Sequence, residues 1–463
     1  MTNLRFSRRA RFLFIAPLLW TACAAGPDYV RPDVPSPERF RYATEGPEAP
    51  IAAHWWELFG DPTLDRLVVE AEAGNFGLAA ALERVRQARA AAGVERSGFF
   101  PTLSADPFLN RSKSSETLGQ FSGGDTSTTY GVPFNIGYEL DLFGRVRRGY
   151  EAAVADAAVA EESFRAARLV LQTDIAAVYF RIRGLDREIE VVERAQAVRG
   201  EQLKILGSRH EFGIISRLPL AQAEAELNAT RATLFSIRRE RVQLENALAV
   251  LLGKTPSEFE LPPAPLDDDP PAVPSAVPSA LLSARPDLRA AERTMAAANA
   301  RVGVATADFY PRISIGADAG FRSGHYRTLF DSRSFAWGIL PNIRIPIFEG
   351  GRLNANLERA RSRYAETYAE YRQAIVRAFG EAEDALAGID LLARQANANR
   401  MAVRAAEQAF EISRRQFEGG LVNYLSVLDS ERTYLDGQRL SSAILTQQYT
   451  SAVNLAKAVG GSW

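Results

Sequence analysis

From Arg145 to Gly207 the chain runs without a proline, and this run limits the possible folds more than any other feature. As one α-helix it would be about 90 Å long at 1.5 Å per residue, where an ordinary helix has about 11 to 12 residues. Ile175, Val178, Ile182, Leu185, Ile189 and Val192 alternate three and four apart, the spacing of a coiled-coil seam. Leu220, Leu227 and Leu234 step by seven in the segment that follows. A chain of 463 residues cannot bury such a helix in a core of its own, so the long helices must bundle with further helices. Gly184 and Gly200, like Gly380 and Gly388 later on, are expected to soften them, since glycine costs about 1 kcal/mol relative to alanine inside a helix.

The pattern occurs twice. Gly144 to Gly351, Gly213 to Gly420, Ser216 to Asn423, Glu224 to Glu431 and Gly253 to Gly460 all repeat at a shift of 207. Phe100-Pro101 returns as Tyr310-Pro311 with a small insertion. Each copy reads as an Ala-rich helix (near 76–98 and 286–308), a two-strand segment and two long helices. The predicted division is a signal peptide (1–22), an anchor and extended segment (23–63), a first repeat (64–253), a connector (254–285) and a second repeat (286–463). The connector is rich in Pro and Asp and includes Asp267-Asp268-Asp269-Pro270-Pro271, which suits a crossing between copies. The turns between long helices are Gly213-Ile214-Ile215-Ser216 and Gly419-Gly420-Leu421-Val422-Asn423. Glycine suits a helix end, Ser216 and Asn423 suit N-caps, and Pro219 falls in a first turn, where its missing N–H costs little. Apolar pairs in such turns, Ile214 with Ile215 and Leu421 with Val422, imply that something covers them, either a docked partner or the neighbouring tips of an assembly.

Four segments alternate with period two, near 102–112, 129–142, 312–323 and 335–348. Tyr130, Val132, Phe134, Ile136, Tyr138, Leu140 and Leu142 form one apolar set; Ile313, Ile315, Ala317, Ala319 and Phe321 form another. Phe335, Trp337, Ile339, Ile343, Ile345 and Ile347 continue the theme. About ten residues is the length that a tilted strand needs to cross a bilayer, although a soluble sheet with one wet face alternates in the same way. The predicted class is therefore an α+β membrane protein. Membrane barrels need about eight strands or more, and open edges in lipid cost several kcal/mol per unpaired group. Four strands per chain thus require assembly with further copies.

At the N-terminus, Arg5, Arg8, Arg9 and Arg11 precede an apolar run from Phe12 to Trp20, about half the length of a membrane-spanning helix. The only cysteine follows in Leu18-Leu19-Trp20-Thr21-Ala22-Cys23. This resembles the lipobox of bacterial lipoproteins, with Trp20 where leucine is usual, and predicts a lipid on Cys23. Ordinary cleavage at Ala22-Cys23-Ala24 is the alternative. One cysteine permits no intrachain disulfide and no thiolate metal cage. His54, His210 and His325 are far apart in sequence, so no metal site and no cofactor are expected. A net charge of −1 with scattered Lys and Arg gives no nucleic-acid footprint. No GxxxxGK[ST], GxSxG or HExxH pattern occurs, and no enzymatic activity is expected.

Further segments join these features: Trp55-Trp56-Glu57-Leu58-Phe59-Gly60-Asp61-Pro62, Leu282-Ser283-Ala284-Arg285-Pro286-Asp287-Leu288, the corners Gly144-Arg145 and Gly351-Arg352, and the stretch from Phe417 to Arg432. Over nearly the whole chain after Cys23 they resemble the outer-membrane factor family, the TolC-like channels of tripartite efflux and type I secretion. The resemblance implies a homotrimer, a twelve-stranded β-barrel in outer-membrane lipid and a periplasmic α-barrel. It implies passive export with a periplasmic adaptor and an inner-membrane pump, of the resistance-nodulation-division type for the lipoprotein branch. It also places an aperture at Leu425, Asp429 and Arg432, which share a helix face at i, i+4 and i+7. Arg432 is expected to pair with Asp429 of the same or a neighbouring chain. Three positions depart from the family pattern: Ser426 and Pro219 replace aspartates, and Phe417 replaces a latching tyrosine. Two readings stand beside drug efflux: a channel for type I protein secretion, and a lipid-anchored coiled-coil adaptor. Adaptors lack both the second hairpin and membrane-length strands.

Overall fold

The computed structural model describes residues 24–34, 40–42, 54–117, 125–267, 270 and 285–461. In chain order its helices are α1 (Pro62–Gly74), α2 (Phe76–Ser97), α3 (Arg145–Glu211), α4 (Arg217–Leu251), α5 (Pro286–Ala307), α6 (Arg352–Glu418) and α7 (Tyr424–Ala458). The duplication is visible in their lengths: α3 and α6 each have 67 residues, and α4 and α7 each have 35. None of the described helices is long and apolar enough to cross a membrane.

The chain forms two compact units. The first takes residues 1–33, 84–160 and 291–371 and contains an antiparallel sheet. Its strands are β1 (Thr102–Ala105), β2 (Phe108–Lys113), β3 (Thr126–Leu140), β4 (Arg312–Ser323) and β5 (Phe335–Arg344). The segment predicted as one strand at 102–112 is thus two, both paired to β3 in one continuous register: Ala105 opposite Phe134, Phe108 opposite Gly131. The break at Asp106-Pro107 lies across from Pro133, and neither proline has an N–H for the ladder. β5 ends at Arg344, short of the predicted 348; Pro346 two residues on stops it, so Ile345 and Ile347 leave the sheet.

Register decides which side of the sheet is apolar. Phe134 lies opposite Ala105 and Ala319, and Ala319 lies opposite Trp337. Ile136 likewise joins Leu103 and Ala317, which meets Ile339. Every row of the alternation therefore falls on one face. The other face carries mainly polar residues and the strand glycines, Asn135, Glu139, Ser314, Asp318 and Arg322 among them, with Phe108 and Leu340 as its large apolar exceptions. Trp337, Ile339 and Ile343 remain well exposed. Among the described residues β1 and β2 pair only with β3, and β5 only with β4, so both outer edges are open.

The second unit takes residues 34–83, 161–290 and 372–463 and holds the main core. A short 3₁₀ turn, Trp55–Phe59, buries Trp55 and Trp56 with Leu64, Leu67, Ile175, Phe180, Leu248 and Val453. The seam read from sequence is present: Ile175, Ile182 and Val192 are fully buried, Leu227 and Leu234 on α4 are buried, and Val178, Leu185, Ile189 and Leu220 are half-buried against the same cores. α1 was not predicted as a helix of its own. Its signal is Asp61, whose carboxylate caps the N–H groups of Thr63 (2.8 Å) and Leu64 (3.3 Å), followed by Pro62 in the first turn. Described connector residues are held by three arginines. Arg183 donates to the carbonyl of Pro262 (2.6 Å), Arg187 to Leu266 (2.9 Å) and Arg241 to Leu261 (2.7 Å).

Candidate functional site

Cys23 lies outside the described residues, but the chain just after it is fixed within the first unit. The N–H of Ala25 donates to the carbonyl of Phe143 at 2.9 Å, at the corner where β3 gives way to α3. Buried Arg148 donates to Asp28 (2.6 Å) and to the Ala25 carbonyl (3.3 Å), and Asn299 donates to the Pro27 carbonyl (3.0 Å).

In the second unit the two hairpin turns have matching backbones. Gly213 (φ 72°) and Gly420 (φ 75°) occupy the left-handed region, where a side chain would be strained. The N–H of Ile214 bonds to Arg209 O and that of Leu421 to Gln416 O, both at 2.8 Å, which closes a Schellman-type end in each. Asn423 caps α7 by accepting from the N–H of Ser426 (3.1 Å). Ser216 sits at the equivalent position with no side-chain cap bond, contrary to expectation; His210 Nδ1 lies 3.1 Å from the neighbouring Ile215 carbonyl, which leaves the first N–H groups of α4 uncapped by it. The apolar pairs also divide. Ile214 (68% exposed) and Leu421 (79%) point outward, whereas Ile215 packs on the cluster of Leu206, Ala223, Phe410, Tyr424, Val427 and Leu428, and Val422 is half-buried. Phe212 and Leu218, which the sequence reading passed over, add exposed apolar surface at the first tip.

At the start of α7 the residues sort by face. Tyr424, Val427, Leu428 and Glu431 are buried, while Leu425, Asp429 and Arg432 are exposed together. Arg432 does not pair with Asp429 within the chain; its guanidinium bonds to Glu226 on α4 of the first hairpin. That bond holds Glu226 below the usual carboxylate range despite its burial. Glu431 goes the other way: burial raises its pKa although Arg199 opposes the shift. Burial and the nearby Glu431 charge push the Tyr424 hydroxyl up to about 12. Phe417 packs against Tyr424 (ring centroids 5.4 Å apart) under the Arg209 guanidinium (5.6 Å), so its ring serves the tip core. No cluster of three or more His, Cys, Asp or Glu suited to a metal occurs among the described residues.

The family model described as "Outer membrane efflux protein" matches residues 67–254 and 277–461. Outer membrane protein OprJ of Pseudomonas aeruginosa is 32% identical over 458 residues, 96% of this chain and 93% of that protein. Solvent efflux pump outer membrane protein SrpC of Pseudomonas putida is 33% identical over 454 residues, 96% of this chain and 97% of that protein. The solved outer-membrane channel OprN superposes with a TM-score of 0.90 at 28% identity, covering 95% of this chain and 100% of that one. A sheet with one apolar face, paired long hairpins and this likeness lead to one conclusion: the chain belongs to the outer membrane efflux protein family, the TolC-like outer-membrane factors, as an efflux channel of the outer membrane and periplasm and not an enzyme.

Proposed function

We propose that three copies of the chain close one twelve-stranded barrel and serve as the passive duct of a tripartite pump for small organic molecules. The observation that carries this is the sheet: one apolar face and, among the described residues, two open edges in a single chain. In lipid each unpaired edge group costs several kcal/mol, and copies of the same chain supply the missing ladders. The mature chain begins at Cys23 after removal of residues 1–22, and its lipid meets the membrane beside the β3–α3 corner that the Ala25 bond marks. Residues 254–285 join the repeats 64–253 and 286–463. The tips, Gly213 to Ser216 and Gly420 to Asn423, dock a periplasmic adaptor that links the duct to an inner-membrane pump of the resistance-nodulation-division type. The solvent pump named for SrpC favours small organic cargo over secreted protein.

Leu425, Asp429 and Arg432 form the aperture at the periplasmic end, each present once per subunit. The leucines plug it and the carboxylates favour cations over anions. Single-channel conductance of purified trimers tests this. Leu425→Gly with Asp429→Ala is expected to raise conductance several-fold and to admit large antibiotics into cells. Unchanged conductance would place the constriction elsewhere, and a monomer without conductance would end the duct reading.

A further inference from the structure

Glu431 and Arg432 are adjacent on α7, yet each is tied to the first hairpin through a different residue. Arg199 on α3 donates from Nε to Glu431 (2.9 Å) and from Nη1 to Thr230 on α4 (2.5 Å). The same guanidinium lies 3.4 Å from the Glu226 carboxylate, which in turn holds Arg432. An ionic chain thus runs Glu431, Arg199, Glu226, Arg432, beginning and ending on α7. Arg199, Thr230 and Glu431 are all buried, at 5%, 4% and 4% exposure.

We propose that Arg199 is the positioning residue of the aperture, holding the start of α7 in the rotation that aims Leu425 and Asp429 together. The proposal rests on the aperture reading above. A helix turns as a body, so whatever fixes its buried stripe also fixes its exposed one. Tyr424, Val427 and Leu428 on that stripe make apolar contacts, which are non-directional and tolerate rotation. Glu431 is the one charge on the stripe, and its charge-assisted bond to a planar guanidinium has a defined direction.

Two observations set this cluster apart from ordinary scaffolding. The first is that it occurs only once in a duplicated chain. At the shift of 207, Arg199 corresponds to Ala406 and Glu431 to the exposed Glu224, so the fold does not require it. The second is that Glu431 is incompletely satisfied: its Oε2 is buried with no hydrogen-bond partner among the described residues. A buried carboxylate oxygen left unpaired destabilises the packed state, as suits an element that must also leave it.

The experiment compares conductances in planar bilayers for purified wild-type trimers, Arg199→Met, Arg199→Lys and the Leu425→Gly/Asp429→Ala reference. Arg199→Met keeps an unbranched apolar stem but neither the charge nor the donors, and is expected to raise conductance several-fold, approaching the reference. Arg199→Lys retains the charge without the planar fork and is expected to fall between Arg199→Met and wild type. Wild-type conductance in Arg199→Met, with a raised reference, would overturn the latch and leave the aperture standing. A reference that stays at the wild-type level would remove the aperture and the latch with it. If Arg199→Met yields no SDS-resistant trimers, Glu431→Gln decides, since it keeps volume and removes only charge; wild-type conductance there overturns the proposal.

Discussion

A methyl group added at Gly184 or at Gly380 is the same chemical change on the same kind of helix, yet the two sites demand opposite outcomes. At Gly380 nothing lies within 4 Å of the added carbon, so alanine should gain the ordinary helix increment of about 0.8 to 1 kcal/mol. At Gly184 the added carbon would enter the van der Waals envelope of Thr446 Oγ1 and come within 3.0 Å of its Cβ and 3.1 Å of its Cγ2. Turning Thr446 gives little relief, because the Cβ itself is too close and the hydroxyl is bonded to Ser442 O (2.8 Å). The helices must then separate, at an overpacking cost toward the upper end of about 1 to 3 kcal/mol. Set against the helix gain, Gly184→Ala should lose about 2 kcal/mol per chain, and the two variants should differ by about 3 kcal/mol. The assay is the temperature at which SDS-resistant trimers dissociate at one fixed heating rate, since such unfolding is rate-dependent. Gly184→Ala should fall below wild type and Gly380→Ala should rise above it. Thr446→Ala removes Oγ1 and Cγ2 but keeps the Cβ at 3.0 Å, and should recover part of the loss in the double variant. A Gly184→Ala trimer as stable as Gly380→Ala would refute the close-approach reasoning.

The hairpin tips allow a second contrast. Ile214→Asp with Leu421→Asp should abolish export while trimers persist, whereas Ile215→Asp with Val422→Asp should also lower trimer yield, because those side chains pack inward; drug susceptibility and trimer yield measure both, and normal export in the first variant would rule out docking there. At the N-terminus, Cys23→Ser should remove the lipid mass from the mature protein, at about 0.8 kcal/mol of membrane affinity per buried CH₂, yet leave it in the outer-membrane fraction through its barrel. Mass spectrometry that finds a wild-type chain beginning after Cys23 with no added lipid would refute the anchor.

What the sequence revealed and what it hid follow from range. The seam Ile175, Ile182, Val192 was legible because a helix repeats its buried face every three to four residues, and the buried state of all three bears it out. The strand faces were legible for the same reason at period two, and the observed register puts Phe134, Ala319 and Trp337 on one side. Local chemistry blurred the boundaries: Pro107 and Pro133 split one strand into two, and Asp61-Pro62 opened a helix that hydrophobic spacing further along overshadowed. Contacts distant in sequence were not legible. Nothing near Arg432 announces that its partner is Glu226, 206 residues away, and Asp429 was merely the nearer carboxylate. Gly184 and Gly380 look alike in a list of helix breakers, and only the neighbouring helix tells them apart.

The divergence of the two copies matters for how such a duct can close. Three chains with two hairpins each place six hairpins around one axis. Six identical hairpins would each have to hold and be held, and a ring tightened by one set would be loosened by the same motion in the other. Here the equal lengths of α3 and α6, and of α4 and α7, keep the six hairpins in step, while the side chains divide the labour. The first hairpin carries the guanidinium of Arg199 and the carboxylate of Glu226; the second carries Glu431, Arg432 and the exposed stripe beside them. Ala406, where the second copy would have its own Arg199, leaves that hairpin without a counterpart of this buried guanidinium. Under the latch reading, closure is then a property of three moving hairpins set against three fixed ones, and the asymmetry between the copies gives the motion its direction.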